Sequence, residues 1–212
     1  MSSGLIIAID GPAASGKGTI SRAIAADYAL PLLDTGILYR AVGQQLRDAG
    51  HDLNDAGAAA AIARIFDPSW LDDARLRDRI AGEAASRVAK VPQVRAALLR
   101  FQVDFAHQIG GAVLDGRDIG TVIAPDAHVK LWVDADVCVR AHRRMLELIS
   151  RGEQVLEAEI LADLTARDAR DAPNMLIAPD AVKIDTTNLS AEEAIARATQ
   201  IVRLRAGTPL PA

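Results

Sequence analysis

One stretch, Gly11-Pro12-Ala13-Ala14-Ser15-Gly16-Lys17-Gly18-Thr19, constrains this chain more than any other. It follows a short apolar run, residues 5–9, closed by Asp10. It precedes a segment with Ile20, Ala23 and Ile24 at helical spacing. A continuous apolar run of that length suits a strand buried on both faces of a parallel sheet. Gly11 and Gly16 let backbone N–H groups converge, the helix beginning at Lys17 aims its N-terminus at the same point, and the lysine adds a cation. The spacing G-x-x-x-x-G-K between strand and helix matches what the phosphates of a nucleoside triphosphate require, so Gly11 through Thr19 are the expected contacts with ATP. Gly18 occupies the place where a serine or threonine usually follows the lysine. A Mg²⁺ ion is therefore expected to be held mainly by phosphates and water, with no protein ligand assigned.

The rest of the chain alternates. Strands are expected at 32–34, 112–115, 129–134 and 181–185, each an apolar run ending in an acidic residue. Between them the pattern is helical. Thr35 is expected to cap a helix closed by Gly50, a basic helix spans about 136–150, and another spans about 155–170. Ser190 with Glu193 has capping-box spacing and opens a last helix. From about 51 to 111 the reading is mostly helical, broken at Asp67-Pro68 and restarted at Val91-Pro92. The tail, 207–212, carries two prolines and is expected to fray. Strands alternating with helices imply an α/β fold, a parallel sheet with right-handed crossovers, and ligands at the carboxyl ends of the strands. Asp10, Asp34, Asp115 and Asp134 fall at such ends. Each is either a site residue or a helix cap.

Composition narrows the class. The 212 residues fit one compact domain with an insertion. Half are hydrophobic but 3% are aromatic, so the core must be built from Ala, Leu, Ile and Val. A net charge of -4 gives no global attraction to nucleic acid or to an anionic membrane. Cys138 is the one cysteine, which excludes an internal disulfide, and it is expected to be a small buried hydrophobe. The four histidines are scattered without metal-ligand spacing. No apolar run reaches the length of a membrane span, and the expectation is a soluble cytoplasmic protein.

Further motifs carry a specific resemblance. Residues 9–19, Leu33-Asp34-Thr35-Gly36-Ile37-Leu38-Tyr39-Arg40, Asp115-Gly116-Arg117-Asp118-Ile119-Gly120-Thr121-Val122, Arg140-Ala141-His142-Arg143-Arg144 and Ile184-Asp185-Thr186-Thr187 occur in the order found in bacterial cytidylate kinases, which this chain closely resembles. The resemblance implies a P-loop NTPase core at 1–43 and 107–212, with five parallel strands flanked by helices and a lid at about 148–175. It implies an inserted, mostly helical domain for the monophosphate at 44–106. The implied reaction passes the γ-phosphoryl group of ATP to CMP or dCMP with Mg²⁺, in a monomer.

The same resemblance distributes roles. Lys17, Arg40 and Arg117 are the expected catalytic residues, the two arginines holding the acceptor phosphate. Arginine suits that task because two anions must approach each other. Ser86, Arg95 and Asp118 match the positions that read the base. A carboxylate accepts from cytosine N4 and an arginine donates to N3 or O2, whereas uracil would set a carbonyl against Asp118 and an N–H against Arg95. Arg167 and Asp171, four apart on one helix face, match a pair that reaches the acceptor sugar and phosphate; an ordinary ion pair is the alternative. Asp34, Thr35, Asp115 and Gly116 complete the acceptor side. In the basic run Arg140, Arg143, Arg144 and Arg151, which resembles the lid, Arg143 and Arg144 are the expected ATP contacts.

Two departures stand out. The family pattern R-D-x-x-D-x-x-R ends here in Asn174, which leaves one phosphate-holding charge missing or displaced, with Arg170 a possible substitute. The insertion is trimmed around Phe66 to Arg75, where many relatives have a strand-rich piece. Rival readings are a kinase for UMP or AMP, disfavoured by Asp118 with Arg95, and a nucleotide-binding regulator without turnover.

Overall fold

In a computed structural model, residues 4–207 are described. The expectation for the tail beyond Gly207 lies outside them. Five strands, β1 (Leu5–Asp10), β2 (Leu32–Asp34), β3 (Gly111–Gly116), β4 (Val129–Asp134) and β5 (Val182–Asp185), form one sheet in the order β2-β3-β1-β4-β5. β1 runs parallel to both β3 and β4, and β4 runs parallel to β5. Ile6 through Asp10 and all of β3 are buried, as the central strands of a parallel sheet must be. The chain leaves β1 toward β2 and β3 on one side and reaches β4 and β5 on the other. The carboxyl end of β1 is therefore the switch point where such sheets place ligands. The register sets Ile9 opposite Asp115 and Asp10 opposite both Gly116 and Trp132.

The chain divides into two compact units. The first, residues 1–33 and 106–212, holds the sheet. Its helices are α1 (Lys17–Asp27), α6 (Val137–Ser150), α7 (Glu157–Asp171) and α8 (Ala191–Ala206). One core joins Ile7, Ile9, Leu131 and Val133 of the sheet to Ile20 and Ile24 of α1 and to Ala198 and Val202 of α8. A second cluster packs Ala13 of the glycine-rich loop against Ala141 and Leu148 of α6 and Ile160 and Leu164 of α7. The Ser190 capping box closes in both directions, Ser190 with the Glu193 amide and Glu193 with the Ser190 amide.

The second unit is residues 34–105, whereas the sequence put its start near 44. It contains α2 (Thr35–Asp48), α3 (Ala56–Arg64), α4 (Arg79–Val88) and most of α5 (Pro92–Ala106), with two 3₁₀ turns, Pro68–Asp72 and Ala74–Arg77. Those turns lie where the sequence looked trimmed. Beside them Phe66 packs edge-on against Trp70 and Phe101, with ring centroids 5.7 and 5.3 Å apart. Aspartates start five of its six helical segments: Asp34, Asp55, Asp67, Asp73 and Asp78 each accept a backbone N–H two or three residues on. The cap of α2 is thus Asp34 rather than Thr35, which is the first helical residue. Asp34 has extended backbone angles and its Oδ1 lies 2.9 Å from the Gly36 amide, the geometry a cap requires.

Cys138 is also corrected. It is exposed, not buried, because in the first turn of α6 it is Val137 that packs against the cluster around Ala141.

Candidate active site

The loop after β1 has the strained backbone its shape demands. Gly11 has φ +148°, and a Cβ there would lie 1.9 Å from the Val133 carbonyl oxygen, so any side chain is excluded. Gly16, φ +93°, is the residue before α1. Between them Ala14 takes φ +60°, a left-handed conformation rare for a residue with a Cβ. Lys17 is buried. Its Nζ donates to the Pro12 carbonyl at 2.8 Å and lies 3.8 Å from Asp115 Oδ1. Gly18 is as close to that carboxylate: a Cβ there would sit 3.6 Å from Asp115 Oδ2. The ends of β1 and β3 thus bring the loop lysine and an acidic residue together.

Asp10, the last residue of β1, is buried and accepts from the Ile119 and Gly120 amides, both at 2.8 Å. Burial pushes its carboxyl up to about 6 despite those two donors and Lys17, and Asp118 nearby adds to the rise. Asp10 therefore pins the segment after β3, which carries Arg117 and Asp118, to the end of β1. That segment makes a short π-helical turn, Ile119–Ile123. Asp118 precedes the turn and is buried, yet its carboxylate does not cap it; the backbone carbonyl of Asp118 takes the amide of Val122 instead.

Arg117 points to the end of α7. Its Nε donates to Asp171 Oδ2 at 3.2 Å, and Arg167 Nε lies 3.6 Å from the same oxygen. Two arginines thus share one largely buried carboxylate. Arg170 is part-buried in the last turn of α7, and Asn174 ends a 3₁₀ turn, Ala172–Asn174.

In the second unit, Arg40 donates from Nη1 to the Leu76 carbonyl at 2.8 Å. Arg95 lies over the ring of Tyr39, 5.9 Å from its centroid, and Ser86 is buried on α4.

The arginines of the basic run on α6 are each held by named partners. Arg140 is buried and donates to the Ala135 carbonyl, the Ala13 carbonyl and Asp168. Arg143 grips Thr186 and the Leu189 carbonyl. Arg144 and Arg151 share Glu147. Thr186 and Asp168 have no assigned role in the sequence reading. Both lie in stretches that match the resemblance, but nothing in their spacing says that they face the loop.

Comparison with known proteins gives the family. A family model described as cytidylate kinase matches residues 7–204. A protein named cytidylate kinase from Rhodopseudomonas palustris is 55% identical over 208 residues, covering 96% of this chain and 98% of its own. One of the same name from Caulobacter vibrioides is 55% identical over 204 residues, covering 94% and 95%. Among solved structures, an uncharacterized protein from Eubacterium ventriosum matches with a TM-score of 0.51 at 15% identity, over 95% of this chain and 98% of that one. TT1252 from Thermus thermophilus matches with a TM-score of 0.50 at 20% identity, over 96% and 98%. At those identities the two structures share the fold.

Proposed function

The chain belongs to the cytidylate kinase family, and we propose that it transfers the terminal phosphoryl group of ATP directly to CMP and dCMP, giving CDP and dCDP. One observation carries the reading. The buried Lys17 ammonium and Asp115 meet at the carboxyl edge of β1 and β3, and Arg117 follows Asp115 by two residues. A cationic donor site and an acceptor-phosphate arginine therefore issue from one edge of the sheet.

The acceptor phosphate is already a nucleophile, so the reaction needs no covalent intermediate. Catalysis reduces to in-line positioning and positive charge around the moving group. Gly11 through Thr19 would cradle the donor phosphates, and Lys17 would exchange the Pro12 carbonyl for a phosphate oxygen. Arg117 and Arg40 would hold the acceptor phosphate, and Arg167 with Asp171 the sugar and phosphate beside it. Ser86, Arg95 and Asp118 would read the base. The Asp118 carboxylate does not cap the turn that follows it, so the helix-cap alternative fails. Residues at about 148–175 would act as the lid, excluding water that would otherwise hydrolyse ATP.

The donor set fits a divalent cation of one kind. Among the described residues no group of three His, Cys, Asp or Glu could hold a metal. Gly18 offers no hydroxyl, and Asp115 Oδ1 lies 3.8 Å from Lys17 Nζ. Mg²⁺ held by phosphate oxygens and water, with Asp115 taking one of those waters, suits this set and would offset charge on the donor phosphates.

No helix among the described residues is long and apolar enough to cross a membrane. A cytoplasmic monomer is the accompanying reading, checked by light scattering and by fractionation. The deciding experiment is a coupled assay with ATP and Mg²⁺ against CMP, dCMP, UMP and AMP. Faster turnover of CMP and dCMP is expected. Preference for UMP or AMP would move the acceptor assignment, and ATP binding without turnover of any acceptor would leave a regulator.

A further inference from the structure

Three carbonyls of the phosphate loop each take a different side chain, two of them from distant segments. Lys17 takes Pro12 at 2.8 Å. Arg140 Nη1 takes Ala13 at 3.1 Å, across 127 residues of sequence. Thr186 Oγ1 takes Ser15 at 3.0 Å, across 171 residues, in a buried bond.

Arg140 and Thr186 are themselves fixed. Arg140 donates from Nε to the Ala135 carbonyl at 2.9 Å and from Nη2 to Asp168 Oδ2 at 2.6 Å. Arg143 donates to Thr186 Oγ1 at 3.1 Å and to the Thr186 carbonyl at 2.7 Å. With a donor already on its oxygen, the Thr186 hydroxyl directs its single proton at the carbonyls of Ser15 and Asp134, 3.0 and 3.1 Å away.

A planar trans peptide points its C=O and N–H in opposite directions, and no cis peptide occurs among the described residues. Holding the Ala13 carbonyl outward therefore turns the Ala14 N–H to the other side. Holding the Ser15 carbonyl does the same for Gly16. Ala14 keeps its left-handed φ of +60°, which an L-residue retains only where its surroundings enforce it. Ala13 is enforced twice, through its carbonyl on Arg140 and through its methyl in the cluster between α6 and α7.

We infer that Arg140 and Thr186, backed by Asp168 and Arg143, are positioning residues that preset the amides of Ala14 and Gly16 for the donor phosphates. The inference rests on the loop being the ATP site. Neither residue touches the reacting atoms; each acts through one loop peptide, so the donors are aimed before the anion arrives.

Because each clamp governs one peptide, the test is residue-specific. In ¹⁵N-labelled protein titrated with inorganic tripolyphosphate, the Ala14 and Gly16 amide protons are expected to move downfield. Thr186→Val keeps the shape and loses the hydroxyl: the Gly16 shift should vanish while the Ala14 shift persists, and Thr186→Ser should restore it. Arg140→Ala should do the reverse. Each variant should bind tripolyphosphate about tenfold more weakly and raise the KM for ATP in step, with the KM for CMP nearly unchanged. If Arg140→Ala does not fold, the Thr186 pair decides alone. Variants whose two amides respond as in wild type, or fade together, overturn the inference. A wild-type protein with no shift in any loop amide overturns the donor-site reading and this inference with it.

Discussion

Lys17 is a cation held in waiting. Its ammonium is buried against the Pro12 carbonyl and near Asp115, and exchanging that carbonyl for a phosphate oxygen costs little desolvation because the group is already out of water. Lys17→Ala is expected to lower kcat by at least about a hundredfold, the scale of losing a major transition-state contact, with the fold checked by thermal melting. A near-normal kcat would remove the lysine from the chemistry. Arg170 is the other residue with a decision attached. Asn174 leaves the family's last arginine absent, and Arg170 is the cation one turn earlier in the chain, part-buried at the end of α7. Arg170→Ala should raise the KM for CMP severalfold, on the scale of one charge-assisted contact, and leave the KM for ATP alone. An unchanged KM for CMP would leave the missing charge unreplaced.

At the level of elements, the close approach of α2 and α4 rests on one glycine. A Cβ on Gly43 would lie 2.8 Å from Ala84 Cβ and 3.1 Å from the Ala84 carbonyl carbon. Alanine in a helix interior gains about 1 kcal/mol over glycine, while overpacking of this kind costs about 1–3 kcal/mol, so the clash wins. Gly43→Ala should lower the melting temperature by a few degrees and speed hydrogen exchange in α2 and α4. A raised melting temperature would mean that the helices can part without loss.

Most elements were legible in the sequence, since β1, α1, β4 and the Ser190 capping box are each set by residues within a few positions of one another. The clamps on the loop were not. Arg140 reads as a surface arginine in a basic run, and only the packing of α6 on α7 shows that it is buried. Its partners lie on the loop and on α7, and periodicity carries no information about such pairings. Asp34 shows the opposite case: cap and site residue have the same sequence signature at a strand end, and geometry alone shows the cap.

For the whole molecule, Asp10 sets a pH dependence. Its carboxyl is raised from 3.8 to about 6 by burial. The folded protein thus binds that proton more tightly than the unfolded chain. The contribution to stability is full below pH 3.8, declines as the pH rises toward about 6, and is constant above. A shift of this size is worth about 3 kcal/mol. Asp10→Asn keeps an acceptor oxygen for one of the Ile119 and Gly120 amides and does not titrate. The unfolding free energy of wild type minus that of Asp10→Asn, from urea melts, should fall by about that amount between pH 4 and pH 7. A difference independent of pH would refute the assignment.

The scarcity of aromatic side chains has a practical consequence. Two tryptophans occur in the chain, Trp70 in the aromatic group of the second unit and Trp132 on β4 opposite Asp10. Replacing either one by phenylalanine leaves a single tryptophan, confined to one unit and excited apart from the tyrosines. Emission from Trp132 would then follow the titration of Asp10 and the filling of the loop, and emission from Trp70 would follow the monophosphate side. The two binding events become separable, each read in the variant that keeps its tryptophan, in a protein that carries no added dye.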